Sequence, residues 1–158
     1  MTGGSTWILV ADARRAFALS DAAQLGVFAP VDAFRFEAPP RRDADFGTDR
    51  PVHTHALRGK TAGSATWERR KLQLIEQRRF LTHVVVEADS CHRAGKFAHL
   101  ALIAPARALG DLRVVLSNSL AESVVLERAA DLTKTPPSEI GRRYIEWMRN
   151  GEAKPKRS

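Results

Sequence analysis

Basic side chains dominate the middle of the chain, and residues of this type can bind phosphate groups. They form several clusters in and after a Pro/Gly-rich stretch, with one tryptophan among them. Cations close together can neutralise several phosphates at once, and an exposed tryptophan can stack on a base. The competing interpretation is a solvated helix in which Glu68 and Glu76 offset the charge and the tryptophan anchors the core. The predicted RNA-binding residues are Arg58, Lys60, Trp67, Arg69, Arg70, Lys71, Arg78 and Arg79.

Histidines and aspartates in the same stretch suggest a second kind of chemistry. His53 and His55 are separated by one residue, and Asp43, Asp45 and Asp49 precede them. These residue types bind metal ions, so a metal-assisted hydrolase or nuclease is the alternative function. No third ligand stands at an informative spacing, however, and the sequence lacks phosphate-loop, dinucleotide-binding and nucleophile-elbow motifs. We therefore predict no catalytic residues, no metal and no cofactor.

The overall composition indicates one globular domain with a basic surface. The chain has 158 residues, of which 44% are hydrophobic, a net charge of +7 and a pI near 10.3. This charge favours polyanionic partners, although a genome rich in G and C produces the same excess of arginine. The single cysteine, Cys91, excludes an internal disulfide, and its neighbour His92 is interpreted as a residue at a helix end. Without a signal peptide or an apolar run long enough to span a bilayer, we expect a cytoplasmic protein with no membrane insertion.

Hydropathy patterns predict strands in the first part of the chain. The continuous apolar run Trp7–Ala11 is typical of a central strand covered on both faces. Arg14–Leu19 alternates and predicts its hairpin partner, and Val31–Glu37 predicts a third strand. Residues 38–66 then predict a long loop, because proline and glycine interrupt every regular pattern.

The remainder of the chain predicts alternating helices and strands. Thr66 is a suitable N-cap for a helix that begins at Trp67. The β-branched run Val84–Val86 could instead form a strand, so the second half of this segment has two possible structures. The pattern predicts an α/β or α+β class with a mixed sheet flanked by helices, one domain over residues 1–150 and a basic disordered tail over 151–158. The predicted later elements are a strand over Phe97–Ala104, a helix over Pro105–Asn118, a strand over Ser123–Ala130 and a helix over Glu139–Arg149 capped by Ser138.

Three short segments spread over the chain match the pattern of a known family. They are Trp7–Asp12 followed by Ala13–Ala16, then Ala104–Arg113, then Asp131–Thr133 ahead of Pro137–Ile140. Together they resemble the host attachment proteins, bacterial relatives of the archaeo-eukaryotic class 1 peptide release factors. The resemblance implies a release-factor middle-domain fold of RNase H-like topology, with the ribosome, tRNA or another RNA as partner. It also implies a role in attachment to a host, for which these residues supply no mechanism.

The same resemblance gives the long loop and the helix after it a counterpart. In release factors a mobile loop ends in Gly-Gly-Gln, whose glutamine helps to place the hydrolytic water, and a long basic helix follows. Arg58–Ala65 resembles that loop end, but Thr61–Gly63 stands where Gly-Gly-Gln would be. We therefore predict a non-enzymatic domain that binds RNA. A third hypothesis is a structural homo-oligomer that uses an exposed face at Trp67 or Trp147 as its interface.

Overall fold

The computed structural model describes residues 4–21, 27–39 and 60–154, with side chains from Ala65 onward in the third range. The strands in these ranges are β1 (Thr6–Ala11), β2 (Arg15–Ser20), β3 (Ala29–Glu37), β4 (His99–Ala104) and β5 (Val124–Ala129). The helices are α1 (Lys60–Arg93), α2 (Ala106–Val115), α3 (Asn118–Ser123) and α4 (Pro137–Arg149).

The five strands form one mixed sheet in the order β3-β2-β1-β4-β5. β1 pairs antiparallel with β2, with Leu9 opposite Ala18, and parallel with β4, with Leu9 opposite Leu102. β2 and β3 are antiparallel, whereas β4 and β5 are parallel. The prediction that Trp7–Ala11 forms a central strand is confirmed, and so is the mixed sheet.

Each face of the sheet has its own hydrophobic core, because successive side chains of a strand point to opposite faces. On one face Trp7 and Leu9 pack against α1, α2 and α3, and the Trp7 ring lies 4.6 Å from the Phe97 ring. On the other face Ile8 and Val10 pack against α4. A single α/β domain with helices on both sides of a mixed sheet is therefore confirmed, while the release-factor topology stays a prediction.

Helix α1 begins at Lys60, so the predicted loop boundary at 66 and helix start at Trp67 are wrong. Within Lys60–Thr66 Gly63 disfavours a helix most strongly, and one internal glycine costs only about 1 kcal/mol relative to alanine. The helix also continues through Val84–Val86, which excludes the alternative of a strand there. Although α1 has 34 residues, neither it nor another helix in the described ranges is apolar enough to cross a membrane.

The later elements differ from their predictions mainly at the boundaries. The helix predicted to reach Asn118 stops at Val115, because Leu116 is extended and Ser117 starts a new helix by accepting the N–H of Leu120 at 3.1 Å. Helix α4 begins at Pro137 rather than at Glu139, since proline has a backbone angle suited to a first helical turn. The strands predicted over Phe97–Ala104 and Ser123–Ala130 are confirmed as β4 and β5 with slightly shorter bounds.

The chain after α4 runs back along β5. The backbone N–H of Lys154 donates to the Val125 carbonyl, and the Lys154 ammonium lies 3.0 Å from Glu127. Glu152 forms an ion pair with Arg128. Glu152 and Lys154 of the predicted tail thus contact the edge strand, and residues 155–158 lie outside the described residues.

Candidate nucleic-acid interface

The first half of α1 carries most of the predicted binding residues and contributes little to the core. Between Ala65 and Phe80 none of the described side chains is buried, whereas Leu81 is only 1% exposed and starts the buried part of the helix. Trp67 is 63% exposed, so the interpretation of this residue as a core anchor is wrong. We call residues Ala65–Phe80 the arm.

Helix α1 is much longer than the strands of the sheet, which explains the exposure of the arm. A helix of 34 residues is about 51 Å long at 1.5 Å per residue. A strand of six residues spans only about 20 Å at 3.3 Å per residue. The second half of α1 covers the sheet, and the first half extends past it.

The arm lies at the edge of the sheet where the parallel strands β1 and β4 end. Asp12 and Ala13 follow β1, and Pro105 follows β4. These residues share a depression of about 250 Å³ with Gln77 and Leu81 of α1. In open α/β sheets the carboxyl edge of parallel strands is the usual place for ligands. The fold therefore places the basic arm beside the edge where a binding site is expected.

The cations of the arm are largely available to a ligand. Arg70, Lys71, Arg78 and Arg79 are exposed and Arg69 is half-buried. Arg78 donates to Asp111 of α2 at 3.2 Å, and this ion pair ties the arm to α2. For the other four, the described part of the chain offers no ion-pair partner. Of the other predicted residues, Arg58 lies outside the described residues and Lys60 is described only by its backbone.

A groove runs between the arm and the first turns of α2, and its volume is about 510 Å³. Arg107 of α2 lies in this groove, is exposed and has no ion-pair partner among the described residues. Sequence reasoning predicted a helix over Pro105–Asn118 but did not include Arg107 among the binding residues, because the sequence does not show that the start of this helix lies beside the arm. The lining residues are Lys71, Leu74, Ile75, Arg78, Arg79, Thr82, Arg107 and Asp111.

Two aspartates at the same edge hold turns in place. Asp12 accepts the backbone N–H groups of Arg14 and Arg15, both at 2.7 Å. The Thr133 hydroxyl donates to Asp131 at 2.7 Å and lies 3.3 Å from Asp12. Hydrogen bonds from the Thr133 side chain and backbone lower the pKa of Asp131, which keeps this carboxylate ionised. These bonds connect the ends of β1 and β5.

The metal-site alternative finds no support in the described ranges. They contain no group of three or more histidine, cysteine or acidic side chains arranged to hold a metal ion. His53, His55, Asp43, Asp45 and Asp49, on which that alternative depends, lie outside the described residues.

The surroundings of Cys91, His92 and Trp147 fit a role in packing rather than in chemistry. Burial raises the pKa of the Cys91 thiol, which disfavours the reactive thiolate. The His92 ring packs 5.2 Å from the Phe97 ring at the end of α1. Trp147 is half-buried and is covered by the Arg128 guanidinium, 4.9 Å from the ring centre. Trp147 is thus less accessible to a second subunit than Trp67.

Fold and site together define a class of protein, an α/β domain with a five-stranded mixed sheet and a basic helical arm at the carboxyl edge of its parallel strands. The chain belongs to the family described as "Protein required for attachment to host cells", whose model matches residues 7–143. This match confirms the family resemblance and indicates an attachment-related protein. Among curated proteins no match was found.

Proposed function

We propose that this attachment-family domain binds RNA through the arm and does so without catalysis. The observation that carries the proposal is an unburied half-helix with a concentration of positive charge. Over Lys60–Phe80 the sequence has six basic and two acidic residues, a net charge of +4. One of the basic residues, Arg78, is already paired with Asp111.

Phosphate binding explains why a helix would keep this charge on a segment that packs against little of the domain. Neighbouring cations repel one another on an isolated helix, and a polyanion relieves that repulsion while releasing its own counterions. Arg69, Arg70 and Lys71 are consecutive and therefore spread over about 200° of the helix surface at 100° per residue. Such an arrangement suits an RNA that contacts more than one side of the arm.

The exposed tryptophan favours RNA strands with accessible bases. Trp67 lies within one turn of Arg70 and Lys71, and 63% of its surface is exposed. Stacking of a base on an aromatic ring contributes about 1–3 kcal/mol per base. A ribosomal RNA or a tRNA, as the release-factor resemblance implies, offers both phosphates and unpaired bases.

The non-catalytic part of the proposal rests on the absence of a glutamine at the position that would correspond to the catalytic tip of release factors. By the release-factor resemblance, Thr61–Gly63 would stand in place of the Gly-Gly-Gln tip, and the backbone of these residues belongs to helix α1. The first turn of a helix differs from the open, glycine-rich turn that a catalytic tip of that kind needs. We therefore infer contact with RNA rather than hydrolysis of peptidyl-tRNA.

Charge reversal in the arm tests the proposal. In the double variant Arg69→Glu/Arg70→Glu, we expect loss of salt-sensitive cosedimentation with ribosomes and of RNA copurification from native lysate. The matched control is Arg35→Glu/Arg149→Glu, which makes the same charge change at two exposed residues of β3 and α4. An equal loss of RNA recovery with both variants would show that overall charge, and not the arm, determines binding.

A further inference from the structure

The groove between the arm and α2 combines three unpaired cations with one neutralised acid. Lys71, Arg79 and Arg107 line it and have no ion-pair partner within the described residues. Its one lining carboxylate, Asp111, is paired with Arg78 at 3.2 Å, and the Asp111 side chain is 17% exposed. With four cations and one anion, the lining has a net charge of +3. The groove is therefore suited to an anion.

Two helices supply these cations, so the site exists only in the folded domain. Lys71, Arg78 and Arg79 lie on one side of α1 because they are spaced by seven and eight residues, or about two helical turns. Arg107 and Asp111 lie one turn apart on α2. The Arg78–Asp111 ion pair crosses between the helices and holds the two sets of cations together.

Apolar side chains on the wall of the groove indicate that the ligand is more than an isolated phosphate. Leu74 is half-buried and Ile75 is 44% exposed, so both present aliphatic surface beside the cations. A nucleotide combines a phosphate with the flat apolar face of a base. The volume of about 510 Å³ falls within the range of small-ligand pockets, roughly 300–1,000 Å³.

We propose that the groove binds one phosphate-bearing nucleotide unit of a single RNA strand, with Arg107 as the main phosphate contact. This inference rests on the proposed function and specifies the form of RNA that the domain takes. Trp67 lies about one turn before Lys71, so a strand that leaves the groove along the arm reaches the exposed ring. The strand must be unpaired at this point, because stacking on Trp67 and contact with Ile75 both use base faces that a duplex keeps stacked.

The first experiment measures binding of a fluorescein-labelled, unstructured 12-nucleotide RNA by fluorescence anisotropy at 100 mM KCl. Arg107 is exposed, so Arg107→Ala should fold normally, which thermal unfolding checks. We expect its affinity to fall on the order of tenfold, as for loss of one phosphate contact and its hydrogen bonds. The matched control, Arg149→Ala, removes an exposed arginine from α4 and should change affinity less than twofold. Equal affinities for these two variants would overturn the assignment of Arg107.

A second variant should bind RNA more tightly, which damage to the fold does not produce. Asp111→Asn removes the negative charge but keeps an amide oxygen that can accept from Arg78, so the contact between the helices is retained while the net charge of the lining rises from +3 to +4. We expect affinity for the same RNA to increase on the order of fivefold, from the Coulomb attraction of one further unit charge near a phosphate. An unchanged or weaker affinity contradicts the groove as the phosphate site.

Two further measurements separate the sources of the phosphate and the two proposals. If AMP binds as tightly as the 12-nucleotide RNA and depends equally on Arg107, the ligand is a free nucleotide and the strand assignment is wrong. If Arg69→Glu/Arg70→Glu abolishes RNA binding while Arg107→Ala and Asp111→Asn leave it unchanged, the arm binds RNA and the groove does not. A wild-type chain that fails to bind the RNA at 50 mM KCl overturns both proposals.

Discussion

The salt dependence of RNA binding gives the most quantitative test of the arm. Arg69, Arg70, Lys71 and Arg79 have no ion-pair partner in the described part of the chain, and Arg107 adds a fifth such cation in the groove. For single strands the slope of log affinity against log salt is about −0.7 per neutralised phosphate, so five contacts predict a slope of about −3.5. Between 50 and 200 mM KCl, affinity should then fall about a hundredfold.

Alanine at two of these positions should lower the slope by a defined amount. In Arg69→Ala/Arg70→Ala three contacts remain, so we expect a slope of about −2 and a fall of about twentyfold over the same salt range. Anisotropy titrations of the labelled 12-nucleotide RNA at five KCl concentrations between 50 and 300 mM measure both slopes. Arg35→Ala/Arg149→Ala is the control, and it should keep the wild-type slope.

Two results would refute the reasoning. A wild-type slope near zero would mean that binding, where it occurs, depends on contacts other than phosphates. An unchanged slope in Arg69→Ala/Arg70→Ala, combined with a wild-type slope near −3.5, would place the phosphates on other cations. The first result would refute phosphate binding by the arm, and the second would exclude Arg69 and Arg70 from the phosphate contacts.

Three other predictions follow from burial and ion pairing. Leu81→Ala should lower the free energy of unfolding by about 2–5 kcal/mol in urea titrations, because Leu81 is 1% exposed in the core; a loss below 1 kcal/mol would contradict that packing. Trp67→Ala should change the free energy of unfolding by less than about 0.5 kcal/mol but weaken binding of the 12-nucleotide RNA. If the variant loses stability as well as affinity for the RNA, Trp67 has a structural role. Burial opposes ionisation of Glu127, but hydrogen bonds from Lys154 and Arg113 prevail and lower its pKa below 4.5. The ionised Glu127 therefore stabilises the fold above pH 4.5, and this stabilisation is lost as the pH falls through the lowered pKa of the folded state. Glu127→Gln should therefore show a smaller loss of stability between pH 5 and pH 3 than the wild type in thermal unfolding, and identical pH profiles would refute this linkage.

Local patterns in the sequence were sufficient to predict most of the fold. The uninterrupted apolar run Trp7–Ala11 predicts burial on both faces, and β1 is central, with Ile8 and Leu9 in different cores. In the third predicted strand Phe34 and Phe36 alternate with Arg35 and Glu37, a pattern that places both rings on one side, and the rings are in contact, 4.8 Å apart. Strand patterns of this kind are reliable because side-chain alternation is a property of the extended backbone itself.

Helix boundaries were less predictable, because weak local preferences compete there with the stability of a whole helix. Gly63 and the polar residues near it indicate a loop when read locally, yet they belong to α1. Once a helix has formed, each added residue gains a hydrogen bond without a new nucleation cost. The helix-breaking residues therefore led to a predicted loop boundary several residues after the actual start of α1.

The sequence by itself determined the strands, the presence of a long basic helix, the excess of positive charge and the family. The tertiary structure decided which half of that helix is buried. Apolar residues recur every seven positions at Trp67, Leu74, Leu81 and Ala88, but Trp67 is 63% exposed and Leu81 is 1% exposed. The repeat specifies only a side of the helix, and burial also requires a sheet beneath that side. Because the strands end before the arm does, Trp67 has no strand to cover, and the same geometry brings Arg107 of α2 beside Lys71 and Arg79.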